Sequence, residues 1–97
     1  MAKRMSDEQF HRIARALADP RRIEILERLR GQQELACTSL RECVPVTAAT
    51  MSHHLKELAD AGLITLRRES KFAHISLSEA TLEAYVAELS RRTGLRG

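Results

Sequence analysis

Aromatic side chains are scarce in this chain: 3% of residues, with no tryptophan, one tyrosine and two phenylalanines. That scarcity argues against stacking on single-stranded nucleic acid, where exposed rings carry much of the binding. Two cysteines cannot build a disulfide framework, so reduced thiols are the expected state. No apolar run approaches the roughly 20 residues of a membrane span, and Met1 to Arg4 opens onto no signal-peptide core, so no membrane partner and a cytoplasmic location are expected. Charge of one sign is not concentrated either. The formal net charge is +3, with acidic and basic residues interspersed and no long basic tail, so a polyanion partner would meet a patch rather than a basic arm. There is no Gly-rich phosphate loop, no pair of carboxylates in a pocket context and no nucleophile with an oriented base, which disfavours an enzyme and implies no cofactor.

What is present reads as a mainly α protein with a small β-hairpin, in the order α-α-α-α-β-β-α. The 97 residues fit one domain, 1–97, whose thin core makes a shared two-fold core a reasonable expectation. Ser6 with Gln9 reads as a capping box, and Phe10, Ile13, Ala14 and Leu17 follow at helical spacing to about Ala18. Asp19 before Pro20 is an N-cap with proline at the first helical position; Ile23, Leu26 and Leu29 supply a stripe, and Gly31 closes it. Thr38 can cap a brief third helix through Leu40 and Cys43, which Val44 and Pro45 must end because the residue before proline avoids helical angles.

Thr47 starts the fourth helix, TAATMSHHLKELADAGLI to Ile64, so a short helix, a turn and a second helix follow in sequence as a helix-turn-helix, about 38–61. At about 100° per residue, Met51, Leu55 and Leu58 share one stripe while Ala49, His53, Lys56 and Asp60 share the opposite one, flanked by Thr50 and Ser52. Small hydroxyl, methyl and imidazole groups on the free face suit close approach to base edges, and Lys56 follows where a phosphate would lie. His54 flanks the buried stripe, so a half-buried structural histidine is at least as good a reading as a DNA contact. Gly62 and Leu63 fit a Schellman stop. Ile64 and Leu66, then Ala73, Ile75 and Leu77, alternate with polar residues around a charged tip from Arg67 to Lys71: a hairpin wing, about 63–77. Ser78 caps a last helix carrying Leu82, Tyr85, Val86 and Leu89 at i, i+3, i+4 and i+7, and Thr93 to Gly97 read as a frayed tail.

Three strings, ALADPRRIEILERL (Ala16 to Leu29), MSHHLKELADAGLI (Met51 to Ile64) and RRESKFAHISL (Arg67 to Leu77), make the chain resemble the ArsR family of winged-helix bacterial repressors over about Phe10 to Leu89. The resemblance implies a homodimer on a near-palindromic operator of double-stranded DNA, each fourth helix in a major groove, each wing against the flanking backbone, and repression relieved by a signal. It departs from the family at Ala48 and Ala49, where Gln or Ser is common and only methyl contacts remain, and at Ser70, where the wing usually turns through Gly.

Direct DNA contacts are therefore expected from Thr47, Ala49, Thr50, Ser52 and His53, and phosphate contacts from Lys56, Arg67, Arg68 and Lys71. Arg21 and Arg22 have a phosphate reading too, against the plainer one of exposed arginines. The dimer interface is expected on Phe10, Ile13, Leu17, Leu82, Tyr85, Val86 and Leu89, about 6–18 and 78–92. Metal-sensing relatives carry a Cys pair at the positions of Ala36 and Thr38, and their second site uses acidic and histidine residues on the last helix. Here neither set is present, and no two of His11, His53, His54 and His74 stand at i, i+4, so no metal site is expected. The commoner reading of the cysteines is two structural thiols, and a thiol switch is the sharper alternative: Cys37 just before a helix start would be the reactive thiol and Cys43, sharing a face with Leu40, the buried one. Six helical residues rise about 9 Å, beyond the roughly 7 Å limit for a disulfide, so a Cys37 to Cys43 bridge would have to unwind the third helix. The rival from another class is a winged-helix interaction module that reads no DNA. The inducer expected is an oxidant, a small molecule or none.

Overall fold

A computed structural model describes residues 4–95. Ser6 caps α1 (Asp7–Leu17) by accepting the Gln9 N–H at 3.2 Å, but the Gln9 side chain does not return the bond. It reaches 52 residues along to the Ala61 carbonyl at 3.5 Å, so only half of the expected capping box forms. Asp19 caps α2 (Pro20–Leu29) through the Arg21 N–H at 2.8 Å, with Pro20 at the helix start. Its buried stripe is Ile25, Leu26 and Leu29, whereas Ile23 is an exposed large apolar residue. Ile25 is buried in place of the expected Ile23 because the packed face of α2 is centred near Leu29, about 40° round the helix from Ile25 and about 120° from Ile23.

One element escaped the sequence reading. Leu35–Ala36 form β1, antiparallel to the later strand through Leu35↔Ile75 and Ala36↔His74. A two-residue strand has no periodicity to read; it exists because the hairpin offers a free edge. It runs directly into α3 (Cys37–Cys43), so Ala36 and not Thr38 is the N-cap, and no side chain caps that start.

Thr47 caps α4 (Ala48–Asp60), accepting the Thr50 N–H at 3.1 Å. The expected stop is present: Gly62 takes φ +83°, Leu63 N–H reaches the Leu58 carbonyl at 3.0 Å and Gly62 N–H the Ala59 carbonyl at 2.9 Å. The wing is β2 (Ile64–Glu69) paired with β3 (Phe72–Leu77), giving the sheet order β1-β3-β2. Its turn places Ser70 at φ +58°, a left-handed conformation on a residue with a Cβ. The last helix, α5 (Glu79–Thr93), follows Ser78, whose hydroxyl bonds the Thr81 hydroxyl at 3.0 Å rather than a backbone N–H. Thr93 belongs to this helix and Gly94 ends it at φ +75°. The readings placed on Met1 to Lys3, and on Arg96 and Gly97, lie outside the described residues.

Ile13, Ile25, Leu29, Leu40, Met51, Leu58, Leu63 and Ile75 are fully buried and come from α1 to α4, the stop after α4 and β3. Fully burying such a side chain is worth about 1.5–3 kcal/mol, so α4 is seated mainly by Met51, Leu55 and Leu58 on one face.

Candidate nucleic-acid interface

The face of α4 opposite that stripe is open. Thr47, Ala48, Ala49, Thr50, Ser52, His53 and Lys56 are all exposed, as helical spacing requires once Met51, Leu55 and Leu58 point inward. Thr47 and Thr50 share a hydroxyl bond of 2.9 Å on top of the cap, so the first turn is held by the two groups expected to touch DNA. His54 is buried at 6% exposure, and its Nδ1 has no partner among the described residues, nor does the buried Arg22 Nε. Burial moves His54 out of any contact surface and onto the packed side of α4 with Met51, Leu55 and Leu58.

Strand alternation divides the wing cations. Arg68 stands opposite Ala73 and Arg67 opposite His74, so the two arginines occupy opposite faces of the hairpin. Arg68 and Lys71 line a groove between the wing and the helix-turn-helix, about 550 Å³ in volume, together with Ser52 and Lys56. Arg67 is on the other face, tied to Glu34 at 2.5 Å and Glu69 at 3.2 Å, with His74 Nδ1 3.6 Å from Glu34. The Arg67 hydrogen bond holds the Glu34 carboxyl below its ordinary range. Register turns Arg67 away from the groove and two carboxylates already occupy it, which weighs against the phosphate contact expected of it. Lys56 is partly occupied too, bonded to Asp60 at 2.8 Å one turn on, which raises the lysine pKa and lowers that of the aspartate. Arg21 is exposed and pairs with Glu24 at 2.9 Å, whereas Arg22 lies 3.7 Å from Asp19 with its side chain mostly buried, so the plainer reading of exposed arginines fits Arg21 and not Arg22.

Three groove residues were missed. Arg41 and Thr38 enter from α3, and Phe72, more than half exposed, enters from β3 beside Lys71. The i, i+3 spacing of Thr38 and Arg41 on a short helix was a usable signal; nothing local marked Phe72, whose orientation depends on the hairpin turn.

The residues expected between protomers divide sharply. Ile13 is fully buried and Phe10 nearly so inside the chain, which corrects their placement at a partner surface: α5 packs over that face of α1. Phe10 stacks on Tyr85 with centroids 5.1 Å apart, and the Arg92 guanidinium sits 4.1 Å over the Phe10 ring. Arg92 also bonds Asp7 at 2.6 Å and Glu88 at 2.7 Å. Glu88, buried at 5% exposure, accepts from Arg91 as well, with Arg4 at 3.6 Å, and these bonds, Arg91 first, pull its pKa to about 2. Leu17, Leu82 and Tyr85 are half-buried, while Val86 at 53% and Leu89 at 40% leave an apolar face on α5.

Cys37 and Cys43 occupy the two ends of α3, and the expected accessibilities are reversed: Cys37 is half-buried and Cys43 exposed. Leu40 takes the inward face and Cys43, three positions later, rotates past it. Among the described residues no three His, Cys, Asp or Glu side chains converge as a metal site would require. Nor, among the described residues, is any helix long and apolar enough to cross a membrane.

These features agree with the known proteins the chain resembles. The helix-turn-helix domain family matches residues 17–67. An uncharacterised HTH-type transcriptional regulator, YceK, of Bacillus subtilis is 34% identical over 89% of this chain and 88% of its own length. The arsenical resistance operon repressor of Staphylococcus aureus is 33% identical over 89% and 82%. Among solved structures, an ArsR family transcriptional regulator superposes with a TM-score of 0.82 at 25% identity, covering 95% of this chain and 94% of that one. A homodimeric winged helix-turn-helix DNA-binding domain from Mycobacterium bovis gives 0.71 at 27%, covering 96% and 91%. The buried seat of α4, its open polar face and the wing beside it are thus those of a known kind of regulator, and the chain belongs to the ArsR family of winged helix-turn-helix transcriptional regulators.

Proposed function

We propose that this chain is a homodimeric repressor that reads a near-palindromic duplex operator in the cytoplasm, with α4 in the major groove and the wing on the flanking backbone. The observation that carries this is the groove shared by Ser52 of α4, Arg41 of α3 and Arg68 and Lys71 of the wing, three cations with no carboxylate partner among the described residues. Ser52 and His53 read base edges, Thr47, Ala49 and Thr50 set the approach of the helix start, and Arg41, Lys56, Arg68 and Lys71 meet phosphates. Dimerisation through Leu82, Val86 and Leu89 of α5 would set the two reading helices about 34 Å apart, one turn of DNA. The homodimeric Mycobacterium bovis neighbour supports that assembly. Release answers a signal other than a metal held at the third-helix thiolate pair, since Ala36 and Thr38 stand there.

The test is a salt titration of duplex affinity on pooled genomic fragments. Neutralising around six phosphates predicts a fall of about 10³ between roughly 50 and 200 mM salt, with log affinity falling linearly in log salt. Affinity that ignores salt, or no binding to any fragment, overturns the reading in favour of a protein-interaction module.

A further inference from the structure

We propose that the groove between α4 and the wing is also a binding site for an amphipathic organic anion, a flat apolar body of about two rings bearing one carboxylate, whose occupation excludes duplex DNA. The exclusion rests on the DNA reading above; the binding does not.

The groove has a lining that phosphate contact alone leaves unexplained. Leu66 and Phe72, 39% and 57% exposed, are large apolar side chains left facing solvent, and both line this one cavity with Leu55 and Ala73. A single exposed leucine means little, but exposed apolar groups gathered in one concavity mark a ligand surface. The cavity of about 550 Å³ lies within the range of small-molecule sites, about 300–1,000 Å³. Charge selects the ligand. Arg41, Arg68 and Lys71 have no carboxylate partner among the described residues, and the one acid on the wall, Asp60, is bonded to Lys56 at 2.8 Å. Cations are repelled, an inorganic anion leaves the apolar lining unused, and a neutral hydrocarbon leaves the guanidinium of Arg68 unsatisfied. An organic anion uses both, and the cations it takes are those the duplex needs.

The two thiols supply a built-in footprint. Cys37 lines the groove, and Cys43 is exposed at the other end of α3 and does not. Alkylation of each by iodoacetamide is followed by mass spectrometry on the full chain, with naphthoate as the probe and naphthamide as its neutral counterpart. At a naphthoate concentration about tenfold above the half-protecting one, Cys37 alkylation slows about tenfold and Cys43 alkylation is unchanged. Naphthamide does not protect, and Arg68→Ser raises the half-protecting concentration about tenfold. Equal protection of both thiols, no protection of Cys37 up to the solubility of naphthoate, or equal protection by naphthamide overturns the site. Arg68 is exposed, so its variant folds; circular dichroism checks this, and Phe72→Leu, which keeps an apolar group, retains part of the protection. In a parallel duplex titration the apparent Kd rises in proportion to naphthoate. Unchanged duplex affinity while Cys37 is protected overturns the exclusion, and a chain that binds no duplex at all overturns the DNA reading while the protection of Cys37 still decides the site.

Discussion

Arg67 and Glu34, 33 residues apart, are joined by two hydrogen bonds, Nη2 to Oε1 at 2.5 Å and Nε to Oε2 at 3.4 Å. This fork ties the wing to the segment entering β1 on the face away from the groove. It predicts that Arg67→Ala leaves the salt slope of duplex binding unchanged, whereas Arg68→Ala lowers its magnitude by about 0.9, one phosphate contact. Glu34→Ala removes one of the two carboxylates but neither Glu69 nor the register that turns Arg67 away, so it too leaves the slope unchanged. Duplex titrations of the three variants check this, and a slope lost on Arg67→Ala shows that the arginine leaves Glu34 for DNA.

Neighbouring residues Met51 and Ser52 should separate stability from reading. Met51 is fully buried, so Met51→Ala costs about 2–5 kcal/mol in urea unfolding. Exposed Ser52→Ala stays within about 0.5 kcal/mol in the same assay. Each base edge read by Ser52 or His53 is worth about 1–3 kcal/mol of discrimination, so Ser52→Ala and His53→Ala flatten preference among duplexes without unfolding the chain.

Acid should loosen the contact between α1 and α5. Glu88 ionises at about 2 in the folded chain against an ordinary 4.5, because Arg91 and then Arg92 hydrogen-bond its carboxylate. A depressed pKa contributes stability that is fully present above the unfolded value and is lost as pH falls through the folded one. Thermal unfolding should therefore show Tm falling between pH 4.5 and about 2, and Glu88→Gln should lower Tm at neutral pH and make the fall shallower in that window. Equal acid slopes in the two proteins would remove Glu88 as the cause.

The wing turn carries strain that one substitution can relieve. Ser70 sits at φ +58°, which costs a residue with a Cβ about 1–2 kcal/mol, and glycine removes that cost while giving back about 0.5–1 kcal/mol in unfolded-chain entropy. Ser70→Gly should raise stability by up to about 1.5 kcal/mol in denaturant unfolding. A loss of stability would mean that the serine hydroxyl supports the turn.

Much of this was legible because it is local. Thr47 capping α4, the Gly62 stop, Pro20 opening α2 and the alternation of the wing each depend on residues within about one turn of each other. The open face of α4 follows from the same period, so Thr47, Ala49, Thr50, Ser52, His53 and Lys56 were placed on it without a structure. The misses share the opposite property. β1 exists only because β3 has a free edge, and Arg67 meets Glu34 only once that pairing brings the two segments together. Phe10 and Ile13 have an apolar stripe that fits either a core or a partner. Only the packing of α5 over α1 assigns them to the core and leaves Val86 and Leu89 outside.

From the sequence by itself came the number and order of helices, the wing, the family and the polar face of the reading helix, all consequences of caps, periods and short strings. Tertiary structure alone decided which cations are free. Strand register set Arg68 into the groove and Arg67 against Glu34, helix packing brought Arg41 and the hairpin turn brought Phe72 to the same concavity, and burial withdrew His54. Charge in a sequence is only a count; whether a cation is available depends on which carboxylate the fold sets beside it.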